Sequence, residues 1–328
     1  MQFGGSYSII KIKHLFIFSF DKMKRFISHF LVFLVGFVAI ITTLAVAVPY
    51  NANGYYLSEL DKREMVKEKN RPESIILLGG SNVAFGFDSK LIADSLKKNV
   101  INGGVHAGLG IKYMIDDIPS YIRKGDILIL SPEYDQFWDL MAYGELPLCA
   151  MFYIDGLRYP GKISSKQILA IIENTPRFVR EKCEQSLFAA AGLSTDPTYL
   201  RSSFNSYGDA CWHWYNERKH GFNGNVSTLL PIDGFNEDAF EYVVERLKSI
   251  QNKGIKVVLF PPAVEKESFG YMKRRVDYLS MRLSQKGFSF ACSPIECAMD
   301  MSFFYDTKYH LNHEGAKEHS RALLHFLK

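Results

Sequence analysis

The chain has 328 residues, of which 47% are hydrophobic and 14% are aromatic, so it has enough apolar surface for a folded core and is not a disordered protein. Its net charge of +4 is confined to residues 1–25, and the basic and acidic residues of the remaining chain are equal in number. A neutral body argues against a nucleic-acid-binding surface.

An uncharged apolar run at residues 30–48 follows the basic residues and is long enough to cross a bilayer as a helix. We expect a single-pass anchor in the cell membrane. Positive charges favour the cytoplasmic side, so residues 1–29 would be cytoplasmic and the C-terminal domain extracytoplasmic. The alternatives are a buried core helix and a cleaved signal peptide, since Ala45-Val46-Ala47 resembles a cleavage pattern. Translation starting at Met23 would make residues 1–22 a misassigned leader.

Residues 49–73 are rich in charged side chains and are predicted to form a stalk before a folded domain at 74–328. In that domain, short apolar runs alternate with helix-like stretches, which is typical of a parallel sheet covered on both faces. The expected fold class is α/β, with a flavodoxin-like three-layer α/β/α arrangement and about five strands. The apolar runs are Ile75–Leu78, Val100–Ile101, Ile127–Leu130, Ile255–Phe260 and Phe288–Ala291.

The alternation lapses at residues 136–234, between the third and fourth predicted strands. We expect a helical insertion there, packed over the sheet, with helices at Lys166–Ile172 and Arg177–Leu187. The aromatic segment Cys211–Tyr215 suits stacking on sugar rings, and the alternative is ordinary core packing within the insertion.

The five cysteines leave the disulfide pairing open, because an odd number leaves at least one thiol unpaired within the chain. Cys292 and Cys297 lie close in sequence, but no histidine pair accompanies them at a spacing typical of zinc. We expect no metal and no organic cofactor.

Ser81 follows the first predicted strand directly, after two glycines. The carboxyl edge of a parallel sheet is where such folds place their sites, and the glycines permit a tight turn. A phosphate-binding turn or a plain connection is the alternative interpretation, although the P-loop and dinucleotide-binding patterns are absent. Ser81 is therefore a candidate nucleophile.

Asp306 and His310 share a short loop before the last predicted helix. A carboxylate at this distance can accept from one ring nitrogen of the imidazole, which leaves the other nitrogen to take a proton from a hydroxyl. The alternative is a surface loop with two solvated side chains. With Ser81, the pair supplies the three groups of acyl transfer through serine.

These segments together resemble the SGNH/GDSL hydrolase superfamily over residues 74–328, apart from the insertion. Its nucleophile block is similar to Gly79-Gly80-Ser81-Asn82, its second block to Asn102-Gly103-Gly104 and its last block to Asp306–His310. The resemblance implies that Ser81 is the nucleophile, His310 the base and Asp306 its orienting acid, with backbone N–H groups of Ser81 and Gly104 binding the oxyanion. The last block is also similar to membrane-anchored members that act in teichoic-acid D-alanylation and alginate O-acetylation.

Two features depart from the superfamily pattern. The acid and the base are four residues apart instead of three, and the third block reads Ser131–Phe137, without the usual oxyanion-binding asparagine. Loss of one such donor costs about 10²–10³ in rate, so Asn82 or Gln136 takes its place or the site is slow or specialised. Glu133 is interpreted as a paired or solvated carboxylate, with a second acid as the alternative. His106 is interpreted as a structural histidine, with a pocket-lining role as the alternative.

The expected function is that of a membrane-tethered serine esterase or O-acyltransferase acting on an acyl or acetyl ester of a cell-envelope glycan or lipid. A multi-spanning membrane acyltransferase is the partner that the resemblance implies for a transferase. The alternative is a catalytically inactive module that binds or assembles an envelope-polysaccharide complex.

Overall fold

A computed structural model describes residues 6–191, 196–215 and 229–327, and it divides the chain into two units, Met1–Pro49 and Tyr50–Lys328. The first unit contains helix α1, Ser6–Ala47. Within it, the 26-residue segment Lys22–Ala47 contains an 18-residue window with a mean hydropathy of 2.7 and is long and apolar enough to cross a membrane. This segment includes most of the predicted anchor.

The second unit is built on a parallel sheet of four strands in the order β2-β1-β3-β4. The strands are β1 (Ser74–Gly79), β2 (Asn99–Asn102), β3 (Ile127–Ser131) and β4 (Lys256–Leu259). Each coincides with a predicted strand. The fifth predicted strand is reduced to an isolated parallel bridge between Leu259 and Phe290. A separate two-stranded sheet pairs β5 (Val264–Glu265) with β6 (Ala298–Met299).

Both faces of the four-stranded sheet are buried, and successive side chains of β1 belong to different hydrophobic clusters. Ile76 and Leu78 lie in the larger cluster, whereas Ile75 and Leu77 lie in the smaller one. This alternation follows from the two-residue repeat of a strand. Burial on both faces explains why the strand reads as an unbroken apolar run.

Nine further helices are described in the second unit: α2 (Ser58–Lys67), α3 (Ser81–Ala84), α4 (Ser89–Leu96), α5 (Ile111–Asp116), α6 (Leu146–Asp155), α7 (Ser165–Ala190), α8 (Glu237–Asn252), α9 (Lys266–Gln285) and α10 (His313–Leu327). Side chains of α4 and α10 enter the smaller cluster, and those of α5, α8 and α9 enter the larger one.

The stalk expected at residues 49–73 is corrected by the structure, because α2 is part of the body. Arg63 is buried on this helix and forms ion pairs with Asp117, at 2.7 Å, and with Asp155. The charged residues that predicted an exposed stalk include side chains that form ion pairs inside the fold. Buried charges need such partners.

The two helices predicted within residues 166–187 form one helix, α7, with Pro176 in its interior. A proline inside a helix removes one backbone hydrogen bond, so its presence predicted two separate helices here. Packing against α6 stabilises both sides of this position: Cys149 contacts the carbonyl of Ile171, and the rings of Tyr153 and Phe178 stack at 5.3 Å.

Candidate active site

Ser81 lies at the carboxyl end of β1, as predicted, and is the first residue of α3. The two glycines before it are required by close backbone approach. A Cβ on Gly79 would lie 2.4 Å from the carbonyl oxygen of Ser131, and a Cβ on Gly80 would lie 2.8 Å from the backbone of Ala107. The Gly-Gly-Ser sequence therefore places the hydroxyl where larger residues could not bring it.

Asp306 and His310 contact each other as predicted, with Oδ1 of the acid 2.8 Å from Nδ1 of the ring. Their loop is closed by two hydrogen bonds: the Tyr305 N–H donates to the His310 carbonyl, and the His310 N–H donates to the Thr307 hydroxyl. This closed loop explains how a spacing of four residues still brings acid and base together. Nε2 is the ring nitrogen left for proton exchange.

Ser81 and His310 line the same cavity, together with His106 and Tyr199. We call it the Ser81 cavity; its volume is about 310 Å³. The imidazole of His310 is buried and stacks on the Phe85 ring, with the ring centres 4.2 Å apart. The candidate nucleophile and the candidate base, which the sequence separates by more than 200 residues, thus line one cavity.

Tyr199 completes the surroundings of Asp306 and is not predicted from the sequence. Its hydroxyl donates to Asp306 Oδ2 and lies 3.3 Å from His310 Nδ1. Burial acts to raise the pKa of Asp306, but the hydrogen bonds from His310 and Tyr199 outweigh it and hold that pKa below its usual range. The carboxylate is therefore ionised, as an orienting group for the base must be.

Glu133 also contacts Ser81. Ser81 Oγ donates to Glu133 Oε1 over 3.2 Å, and the Asn82 N–H donates to the same oxygen over 3.3 Å. The side chain is only 6% exposed, which corrects the interpretation of Glu133 as a solvated carboxylate. Its burial raises the pKa of the carboxyl group above the usual value. The only sequence signal was its position just beyond the end of β3.

The other predicted oxyanion donors are engaged within the fold. The Asn82 side chain accepts from Gly80 N–H and donates to the Ser131 carbonyl, and the Gly104 N–H donates to the Asn102 side chain. Of Ser81, Asn82 and Gly104, only Ser81 lines the cavity. The structure thus gives Asn82 and Gly104 a role in shaping the turns, because their polar groups satisfy neighbouring backbone.

Gln136 was the second candidate to replace the missing asparagine. Its side chain accepts from the Glu133 N–H and donates to the Ala107 carbonyl, so it fixes the backbone after β3 instead. Glu133 is the residue of this block whose side chain reaches the nucleophile.

His106 lines the Ser81 cavity, which agrees with the alternative interpretation of this residue. Burial lowers the pKa of its ring to about 4, so the ring is neutral near pH 7. Its Nδ1 accepts from the Gly108 N–H over 2.9 Å, which assigns the proton to Nε2. His106 therefore has an N–H donor for a polar ligand.

The aromatic segment Cys211–Tyr215 lies outside the lining of the Ser81 cavity. His213 is buried behind Phe85, with ring centres 4.9 Å apart, and its Nε2 is 2.8 Å from the Leu311 carbonyl oxygen. Trp212 and Tyr215 are exposed. The cavity wall instead includes four tyrosines from other segments: Tyr50, Tyr55, Tyr56 and Tyr199.

Within the described ranges, no group of three or more histidine, cysteine, aspartate or glutamate side chains is arranged to hold a metal ion. No protein-family model matches the chain, and no curated protein is found to be similar to it.

Proposed function

We propose that this protein is a serine ester hydrolase or O-acyltransferase of the SGNH type. The observation that carries the proposal is the shared cavity of Ser81 and His310, with His310 Nδ1 held 2.8 Å from the Asp306 carboxylate. A hydroxyl, an imidazole and an orienting carboxylate are the groups that acyl transfer through serine requires.

The reaction begins with Ser81 Oγ attacking the ester carbonyl while its proton passes to His310 Nε2. The carbonyl electron pair moves to oxygen and forms a tetrahedral oxyanion. When this collapses, the alcohol leaves with the proton from His310, and the acyl group remains on Ser81. Water or an acceptor hydroxyl then reverses these steps with His310 as base. Asp306 keeps the ring oriented throughout.

The architecture we propose is the flavodoxin-like three-layer arrangement, with residues 136–234 as an insertion between β3 and β4. Burial of both sheet faces supports the layers. The apolar helix at Lys22–Ala47 supports a single-pass anchor. Basic residues before it favour a cytoplasmic N-terminus and an extracytoplasmic catalytic domain.

The proposed substrate is an acyl or acetyl ester of a cell-envelope glycan or lipid, which an anchored enzyme would meet at the membrane surface. A cavity of about 310 Å³ lined by four tyrosines suits a small acyl group with a hydroxyl-rich neighbour. If the acceptor is a sugar hydroxyl, a multi-spanning membrane acyltransferase would supply the acyl group.

A second candidate function is a non-catalytic binding module for an envelope polysaccharide. The contact between Glu133 and Ser81 favours it, because a carboxyl group 3.2 Å from Ser81 Oγ would, if ionised, oppose a developing oxyanion. In that case the cavity would bind an acylated glycan without turning it over.

Turnover of 4-nitrophenyl acetate by the full chain in detergent distinguishes the enzyme from the non-catalytic binding module. We expect Ser81→Ala and His310→Ala to abolish the activity, since each removes a reacting group. Ser284→Ala and His325→Ala, at exposed positions of α9 and α10, are the matched controls and should retain it. Turnover that is absent, or equal in all five proteins, would reject the enzymatic proposal.

A further inference from the structure

Glu133 and Ser81 lie just beyond the ends of two adjacent strands, and a hydrogen bond joins their side chains. Gly79 of β1 pairs with Ser131 of β3, so residues just beyond these strand ends lie side by side. Glu133 Oε1 is 3.2 Å from Ser81 Oγ. An oxygen bonded to the carbon that Ser81 attacks would therefore form within reach of this carboxyl group.

The position of Glu133 is fixed by its own turn. Its N–H donates to Gln136 Oε1 over 3.1 Å, and its carbonyl accepts from the Gln136 N–H over 3.1 Å. Gln136 is itself buried and bonded to the Ala107 carbonyl. These bonds fix the backbone from which the Glu133 side chain extends, and a donor on a fixed backbone needs less reorganisation to be effective at an oxyanion.

Burial of the Glu133 carboxyl group favours its neutral form and outweighs the hydrogen bond from the Asn82 N–H, which favours the ionised form. Among the ion pairs of the described residues, none includes Glu133, and the nearby ammonium of Lys308 is paired with Asp135 at 2.8 Å. A buried carboxyl group without a bonded cation retains its proton more readily than one in water. The titratable groups that face it are His310 and Lys308, which favour its ionisation, and Asp135, Tyr55 and Tyr309, which oppose it in their charged forms.

We propose that Glu133 is a catalytic residue that acts as a carboxylic acid and donates its O–H to the oxyanion of the tetrahedral intermediate. This inference rests on the proposed function. It assigns to Glu133 the place left by the missing asparagine of the third block. A neutral carboxylic acid is an effective donor to an oxyanion in a buried site.

The proton balance leaves Glu133 unchanged. Ser81 transfers its proton to His310 Nε2 as the bond from Oγ to the carbonyl carbon forms. The new oxyanion then accepts a hydrogen bond from the Glu133 O–H, which keeps its proton. When the carbonyl forms again, the leaving alcohol takes the proton from His310. Glu133 therefore contributes only stabilisation of charge.

This role predicts a limit on activity at alkaline pH. The enzyme requires neutral His310 to accept the proton and neutral Glu133 to donate to the oxyanion. Activity should fall as Glu133 ionises, because the carboxylate then repels the oxyanion. Glu133→Gln removes this titration and keeps a donor, because an amide N–H replaces the acid O–H.

The experiment measures kcat and kcat/KM against pH for the full-length wild type, Glu133→Gln and Glu133→Met, with 4-nitrophenyl acetate. We expect Glu133→Gln to keep activity within about tenfold and to lose the alkaline decline. Glu133→Met, which preserves volume but has no donor, should lose about 10²–10³ in kcat. Circular dichroism and the thermal midpoint report whether each variant is folded.

A fall of 10² or more in a folded Glu133→Gln would overturn the proposal, since it would indicate that Glu133 acts as a carboxylate base for Ser81. An unchanged alkaline decline in Glu133→Gln would also overturn it, even if Glu133→Met does not fold. Full activity of folded Glu133→Met would reject this role while Ser81-dependent turnover of the wild type still upheld the esterase proposal. A wild type without Ser81-dependent turnover would reject both.

Discussion

The hydroxyl of Tyr199 donates a hydrogen bond to the carboxylate of Asp306, which lies 2.8 Å from His310 Nδ1. Tyr199 comes from a segment about 100 residues before this loop, and its hydroxyl also lies 3.3 Å from His310 Nδ1. The acid–base pair is thus held by a third side chain, which makes Tyr199 a positioning residue in the proposed mechanism.

Tyr199→Phe should lower kcat by about 10- to 150-fold, with little change in KM, because a hydrogen bond to a charged group contributes about 1.5–3 kcal/mol. Loss of this donor leaves more negative charge on Asp306 to stabilise the imidazolium. The acid limb of kcat/KM should therefore move to higher pH, which a purely structural role would not cause.

The matched control for this change is Tyr305→Phe. Tyr305 is buried, and its hydroxyl contacts Thr198 at 3.3 Å instead of Asp306. The acid limb should stay in place for Tyr305→Phe. An equal shift in both variants would show that Tyr199 acts only through general packing.

Arg63 should be essential for the stability of the body. Its guanidinium is buried between Asp117 and Asp155, so Arg63→Met would leave two carboxylates without their cation. We expect a loss of about 3–5 kcal/mol in the free energy of unfolding, measured by urea denaturation of the full chain in detergent. Lys90→Met, which removes an exposed pair with Asp94, is the control and should leave the midpoint unchanged. Similar small losses in both variants would contradict the buried network.

Because of Asp126, the free energy of unfolding should depend on pH in the acid range. Burial acts to raise its pKa, but bonds from Arg71 and from the N–H groups of Arg123 and Ser74 outweigh it, so the folded-state pKa is lowered. A carboxyl group whose pKa is lowered by folding stabilises the folded state at pH values above its unfolded-state pKa of about 3.9. This stabilisation is lost as the pH falls through the folded-state pKa.

The measurement is the difference in unfolding free energy between wild type and Asp126→Asn as a function of pH. The difference should be large and constant near pH 7 and should shrink below about pH 4, where the wild-type carboxyl group begins to take up a proton. A difference independent of pH down to the acid unfolding of the wild type would refute this assignment.

Cys292 and Cys297 should be the pair that oxidises. Their sulfur atoms are 3.8 Å apart on either side of a short turn, so side-chain rotation can bring them to the bond length of about 2.05 Å. Treatment of the full chain with oxidised glutathione should form this disulfide, with the two thiol hydrogens transferred to glutathione. Peptide mapping without reduction should identify the cross-linked peptide. A disulfide that instead involves Cys149, Cys183 or Cys211 would contradict the geometry.

The sheet and two parts of the site could be predicted because their signals are local. Strand β1 is an apolar run that ends at glycines, which positions Ser81, and the acid and base of the last block share one loop. Each pattern depends on neighbours in sequence, and the parallel sheet then brings the strand ends to one edge.

The remaining features depend on contacts between distant segments. Glu133 meets Ser81 across 52 positions and Tyr199 meets Asp306 across 107, and a single sequence carries no signal of such pairings. The burial of α2 was missed for a related reason. The charged residues around Arg63 are typical of a solvent-exposed helix, and only the fold brings Asp117 beside its guanidinium.

Covalent labelling by a fluorophosphonate tests most directly whether the hydroxyl of Ser81 is activated by His310. The full chain in detergent should be modified once, peptide mass spectrometry should assign the adduct to Ser81, and His310→Ala should slow labelling by at least about 10²-fold, because general-base assistance contributes about 10²–10⁴. Labelling that is absent, that persists in Ser81→Ala, or that proceeds equally fast without the imidazole would contradict the account.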